Sequence, residues 1–118
     1  MKIVSINGSS RCEKGNTNKI IEHVLNYVQS PEVKTFFPFK SNIKHCIDCK
    51  KCFETGKCIL KDDMQEYIEA LSSSDLIILA TPIYTNFMTS SLKVVLDRLR
   101  PGRKVSIKLI RGVFFLLF

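Results

Sequence analysis

At 118 residues, with 45% hydrophobic and 25% charged residues, the chain has the size and balance of one globular domain spanning 1–118, and it lacks the bias of a disordered or fibrous sequence. No stretch approaches the roughly 18 apolar residues of a membrane span, and the opening MKIVSING falls short of the apolar core of roughly 7–15 residues in a signal peptide. The net charge of +7 is scattered, with no long basic run interleaved with aromatics, so the expected partners are anionic small molecules rather than nucleic acid or membrane.

KIVSI at 2–6 is a short β-rich run that ends in the turn signal NGSS. Ile20, Ile21, Val24, Leu25 and Val28 then recur at helical spacing, with Asn16 or Thr17 placed to cap the start. After Pro31, EVKTFF at 32–37 reads as a second strand. Met64, Tyr67, Ile68 and Leu71 form the next helical stripe, with Asp62 as N-cap candidate and Gln65 completing a capping box. DLIILA at 75–80 is the near-continuous apolar run of a strand buried on both faces of a parallel sheet. Leu92, Val95, Leu96 and Leu99 make a third helix, stopped by Pro101 and Gly102. KVSIKLI at 104–110 offers a fourth strand, and VFFLLF follows, either completing that strand or forming an exposed edge. Strict alternation of strand and helix predicts an α/β fold with a doubly wound parallel sheet and right-handed crossovers.

In such sheets ligands sit outside the carboxyl ends of the strands, where the strand order reverses. Two loops there carry suitable chemistry. In NGSSRCEKGNTN, residues 7–18, the small residues Gly8, Ser9, Ser10 and Gly15 let backbone amides approach an anion, Thr17 adds a hydroxyl, and Arg11 offers a fork suited to phosphate oxygens at a helix entry. The loop matches neither a dinucleotide fingerprint nor a Walker motif. In TPIYTNFMTSS, residues 81–91, Tyr84 and Phe87 place aromatics at the sheet edge, where they either receive a flat heteroaromatic ring beside Asn86 or plug the sheet end.

Together, GSSR with GNT, TPIY and LKVVLDR resemble the flavodoxin-like NADPH-dependent FMN reductase family from residue 1 to about residue 103. CIDCKKCFETGKC followed by KDDM makes the chain similar to the iron-sulfur flavoproteins within that family. The resemblance implies a sheet of order 2-1-3-4, here lacking the family's fifth strand and last helix. It implies that Ser9, Ser10, Arg11, Asn16 and Thr17 hold the phosphate of FMN, and that Pro82, Ile83, Tyr84 and Asn86 line its isoalloxazine. NAD(P)H or a reduced electron carrier as partner, and a homodimer or homotetramer, are further implications.

Cys46, Cys49, Cys52 and Cys58 are separated by two, two and five residues. Thiolates so spaced can converge on one cluster, whereas structural zinc commonly uses two pairs set further apart and a redox disulfide needs only two cysteines. In a chain expected in the reducing cytoplasm, the run is read as ligating a [4Fe–4S] cluster, with zinc or free thiols as alternatives. The implied function is electron transfer through FMN and the cluster; a reductase without a cluster and a non-enzymatic metal-stabilised module are the alternatives. Lys50, Lys51 and Lys57 are read as a solvated face, Cys12 as a bystander, and His23 as a surface helix residue. His45 is a ligand only if one cysteine is not used. Asp97 and Arg98 are assigned to packing or the dimer, and no catalytic nucleophile, base and acid constellation is visible.

Overall fold

The computed structural model describes residues 1–103 and 113–117. Its strands β1 (Lys2–Asn7), β2 (Glu32–Phe36), β3 (Leu76–Thr81) and β4 (Val113–Leu117) pair in parallel in the order β2-β1-β3-β4. This is the expected 2-1-3-4 sheet. KVSIKLI at 104–110 lies outside the described residues; the fourth position is taken by VFFLL, in register from Ile77 opposite Val113 to Thr81 opposite Leu117.

The period-two alternation of the central strands sends side chains to two separate cores. Val4 and Ile6 of β1, with Ile77 and Leu79 of β3, pack on one face against Met64, Tyr67 and Leu71 of α3 (Met64–Ser72) and Leu92 and Val95 of α4 (Ser90–Asp97). Ile3, Ile78 and Ala80 face the other way, against Ile21 of α1 (Asn16–Leu25) and the flanking Val24, Leu25 and Val28. β1 and β3 are therefore covered on both faces, as the apolar run of β3 predicts. At the β2 edge Glu32, Val33 and Lys34 are exposed, and charged side chains there blunt the edge against unwanted pairing.

The helix ends depart from expectation in instructive ways. α1 starts one residue after Gly15, which takes the N-cap position in an extended conformation with no side-chain cap; Asn16 and Thr17 lie inside the first turn instead of capping it. At α3 the N-cap position falls to Asp63, one residue after the expected Asp62, yet Asp62 still makes reciprocal bonds: its N–H donates to Gln65 Oε1 at 3.1 Å and its Oδ1 accepts the Met64 N–H at 3.0 Å. α4 ends as an α-helix at Asp97, before the expected Leu99, and a 3-10 turn over Arg100–Arg103 accommodates Pro101. A short helix not anticipated from periodicity, α2 (Lys51–Thr55), sits within the cysteine segment and ends at Gly56, whose φ of 75° supplies the left-handed cap. Among the described residues, no helix is long and apolar enough to cross a membrane.

Candidate functional site

The loop leaving β1 is wound by its own side chains. Asn7 Oδ1 accepts the Ser9 N–H at 2.9 Å and Ser9 Oγ accepts the Arg11 N–H at 3.2 Å, local turns that suit asparagine and serine. The chain then passes through a 3-10 turn, Cys12–Lys14, and enters α1 at Gly15. A Cβ on Gly15 would lie 3.0 Å from both Ser9 Oγ and Arg11 Cβ, so the loop closes on a position that only glycine fills comfortably. The α1 entry presents backbone N–H groups without a side-chain cap, the arrangement that receives an anion. Ser10, Arg11 and Asn16 are exposed beside it, whereas Ser9 and Thr17 are buried. Cys12 is a buried free thiol, consistent with a bystander.

The loop leaving β3 forms a tight hairpin. Tyr84 and Phe87 exchange backbone hydrogen bonds of 2.9 and 3.1 Å, and the two residues between them, Thr85 and Asn86, have φ of 48° and 64°. Two successive positive φ values are the mark of a type I′ turn, and asparagine accepts that conformation readily. Ile83, Tyr84 and Phe87 stand 49%, 50% and 61% exposed, so the aromatics project outward and do not plug the sheet end. Pro82 is half-buried and Asn86 exposed. The two loops meet: Ser10 Oγ and Tyr84 Oη lie 3.2 Å apart, which places the expected phosphate and ring contacts on one surface at the carboxyl edge.

Thr89, absent from the sequence-based site, fastens this edge to α4. Its hydroxyl caps the helix by accepting the Leu92 N–H at 3.4 Å and donates to Gly8 O at 2.7 Å, a carbonyl that also accepts from Ser91 Oγ at 3.2 Å. Gly8 has no room for a side chain here, since a Cβ would come 2.8 Å from Thr89 Oγ1 and 3.0 Å from Leu92 Cβ.

The cysteine segment, reached from β2, is folded by residues in the left-handed region between the thiols, Asp48 at φ 55° and Lys50 at φ 60°. Cys46, Cys49, Cys52 and Cys58 are free and all line one small cavity, walled also by Leu60, Arg98 and Arg100. Among the described residues no three His, Cys, Asp or Glu side chains are gathered closely enough to hold a metal ion, so the thiols share a cavity without converging on one centre. The donor set itself, four thiols beside two guanidinium groups, fits an anionic thiolate-ligated cluster. His45 is exposed and outside the cavity wall. Lys51 and Lys57 are exposed, as a solvated face requires; Lys50, also exposed, contributes to the wall.

Two arginines wall the cavity: Arg98, assigned from the sequence to packing or the dimer, and Arg100, which the sequence did not single out. Arg98 and Asp62 form an ion pair of 2.7 Å with side chains 1% and 0% exposed, and Arg98 Nη1 also donates to Lys44 O at 2.8 Å. Burial works against the Arg98 charge, but the bond to Asp62 and the neighbouring Cys58 outweigh it and hold its pKa above the ordinary value. Arg100 donates to Asp48 Oδ1 at 2.8 Å and to Cys46 Sγ at 3.7 Å, and stacks 4.8 Å from the Phe53 ring centroid. That hydrogen bond to Asp48, followed by the one to Cys46, raises the Arg100 pKa. Asp97 forms an exposed pair with Lys93 and carries no chemistry beyond its place at the rim.

A family model described as NADPH-dependent FMN reductase matches residues 1–115. An iron-sulfur flavoprotein of Methanocaldococcus jannaschii is 36% identical over 105 residues, covering 87% of this chain and 54% of the relative. One from Methanosarcina thermophila is 37% identical over 101 residues, covering 83% and 52%. The chain spans about half the length of these curated relatives. Among solved structures, an FMN-dependent NADH-azoreductase from Bacillus anthracis in complex with FMN superposes with a TM-score of 0.70 over 99% of this chain and 68% of its own, at 13% identity, a likeness of fold. Matched through nearly its whole length and sharing the parallel sheet, this chain belongs to the NADPH-dependent FMN reductase family.

Proposed function

We propose that the chain binds FMN across the β1–α1 and β3–α4 loops, and that Cys46, Cys49, Cys52 and Cys58 hold a [4Fe–4S] cluster beside it in an electron-transfer oxidoreductase. The observation that carries the reading is the meeting of the two loops at Ser10 and Tyr84, over an α1 entry that no side chain caps. Arg11, Ser10 and Asn16 are exposed there to receive a phosphate, with Ser9 and Thr17 holding the loop's shape. Ile83, Tyr84 and Phe87 offer apolar surface to a flat ring, and Pro82 and Asn86 set the loop that presents it. When bound, FMN accepts a pair of electrons and releases them singly, and a cluster carries one at a time. NAD(P)H, or another reduced carrier, is the proposed donor, and the description of the family supports a nicotinamide.

Replacing Arg11 by alanine is expected to weaken FMN about ten- to a hundredfold, as the loss of one charge-assisted hydrogen bond does, while riboflavin binding changes little because it has no phosphate. Fluorescence titration with both ligands measures this; equal losses would sink the phosphate assignment. A second reading is an FMN reductase whose cysteines bind zinc or nothing; the unconverged thiols favour its metal-free form, since zinc also needs its ligands gathered on one centre. Iron and acid-labile sulfide analysis of anaerobically purified protein separates the two, with about four of each per chain expected for the cluster.

A further inference from the structure

The Arg98 guanidinium has an unfinished hydrogen-bond set. Nη1 and Nη2 are engaged by Asp62 at 2.7 and 3.1 Å and by Lys44 O, but Nε has no partner although the atom is buried. An unsatisfied buried donor on a charged group is costly, and in native structures such an atom marks a strained, redox or catalytic position or a site that a water or ion completes. Arg98 forms part of the wall of the cavity that all four cysteines line, and Cys58 lies against its guanidinium. The Asp62 clamp fixes the guanidinium plane, which leaves Nε no freedom to find a partner elsewhere.

Resting on the reading of the cysteines as cluster ligands, we propose that Arg98 Nε–H is a built-in hydrogen-bond donor to a sulfur of the bound cluster, stabilising its reduced, more negative form. The bound group completes the donor set, and the Arg98–Asp62 pair serves to aim it. Hydrogen bonds to sulfur are among the means by which a protein sets a cluster's reduction potential.

The side-chain lengths allow donor and charge to be separated. In Arg98→Lys the positive charge toward Asp62 is kept, but a methylene stands at the position of Nε. In a neutral background, Asp62→Asn with Arg98→Gln puts an amide N–H at the same bond count as Nε, whereas Asp62→Asn with Arg98→Met puts none there. The full chain and these variants are reconstituted anaerobically with iron and sulfide, and the cluster is titrated with dithionite while its reduced state is followed by electron paramagnetic resonance. Loss of the donor is expected to shift the equilibrium about tenfold toward the oxidised form, about 59 mV for a one-electron couple, both from wild type to Arg98→Lys and from the Gln to the Met double variant. The neutral pair stands as an independent comparison where Arg98→Lys does not fold. A potential that follows the charge and ignores the donor overturns the proposal while leaving the cluster reading intact. Absence of iron and sulfide from the reconstituted wild type overturns the cluster reading, and this proposal with it.

Discussion

One carboxylate, that of Asp62, accepts four hydrogen bonds: from Arg98 Nη1 and Nη2, from the Lys44 N–H at 2.8 Å and from the Met64 N–H at 3.0 Å. Burial pushes its pKa up, but the donors led by Arg98 prevail and hold it below the ordinary carboxylate value. A depressed folded pKa contributes stability that is fully present above the unfolded value, near 4, and is lost as the pH falls through the lower folded value. Stability of the wild type to urea is therefore expected to decline as the pH falls below the ordinary carboxylate value near 4, and Asp62→Asn to flatten that decline. The same variant, leaving Arg98 buried without its counter-charge, is expected to cost about 3 kcal/mol at pH 7. An unchanged acid slope in Asp62→Asn would count against the assignment. Asp62 and Gln65 were legible as a capping box from local spacing alone. Arg98 was not, because its partner lies 36 positions away and no local pattern marks a pair made by folding. The serines of the β1–α1 loop stand together in the sequence, yet the division between exposed Ser10 and buried Ser9 depends on where the turn closes.

The strands follow from patterns that survive in any tertiary context: a short β-rich run in KIVSIN and an unbroken apolar run in LIILAT. Caps and short turns do not. Asn16 and Thr17 are good capping residues, but Gly15 is the residue that fits against Ser9 and Arg11, so the cap shifts by one and the helix entry stays open. α2 escaped notice because five residues give no periodicity to read. The β1 loop and α4 act as a pair through Gly8 and Thr89. Thr89→Ala removes a helix cap and a bond to Gly8 O, and is expected to lower stability by about 1 kcal/mol. Gly8→Ala forces a Cβ onto Thr89 Oγ1 and Leu92, and an overpacked contact of this kind costs about 1–3 kcal/mol. Thermal melts of the two variants measure both; a Gly8→Ala protein as stable as wild type contradicts the close approach drawn here. FMN affinity is expected to fall with Gly8→Ala as the loop is displaced.

Among the described residues, ten buried hydrophobic residues form the core under α3 and α4, and four form the core under α1. With Phe39, Ile47 and Ile59 exposed apart from the ring-facing loop, we propose that the chain self-associates, since closed homo-oligomers are the common way to cover apolar surface. Sedimentation at low micromolar concentration is expected to show a dimer or larger; a monomer that retains FMN tells against it. The doubly wound plan was legible from alternating elements because such a plan is built from local periodicities, whereas the joining of α4 to both loops depends on contacts between distant segments. That helix begins at the Gly8 carbonyl and ends in the arginine that walls the cysteine cavity. From Thr89 to Arg98 the rise is about 13 Å at 1.5 Å per residue. Leu92, Val95 and Arg98, three residues apart, are all buried on the inward side. α4 thus works as a ruler between the proposed flavin surface and the thiols: one residue inserted into it would turn Arg98 by about 100° away from its cavity, so the helix fixes distance and bearing together and tolerates change of composition far better than change of length.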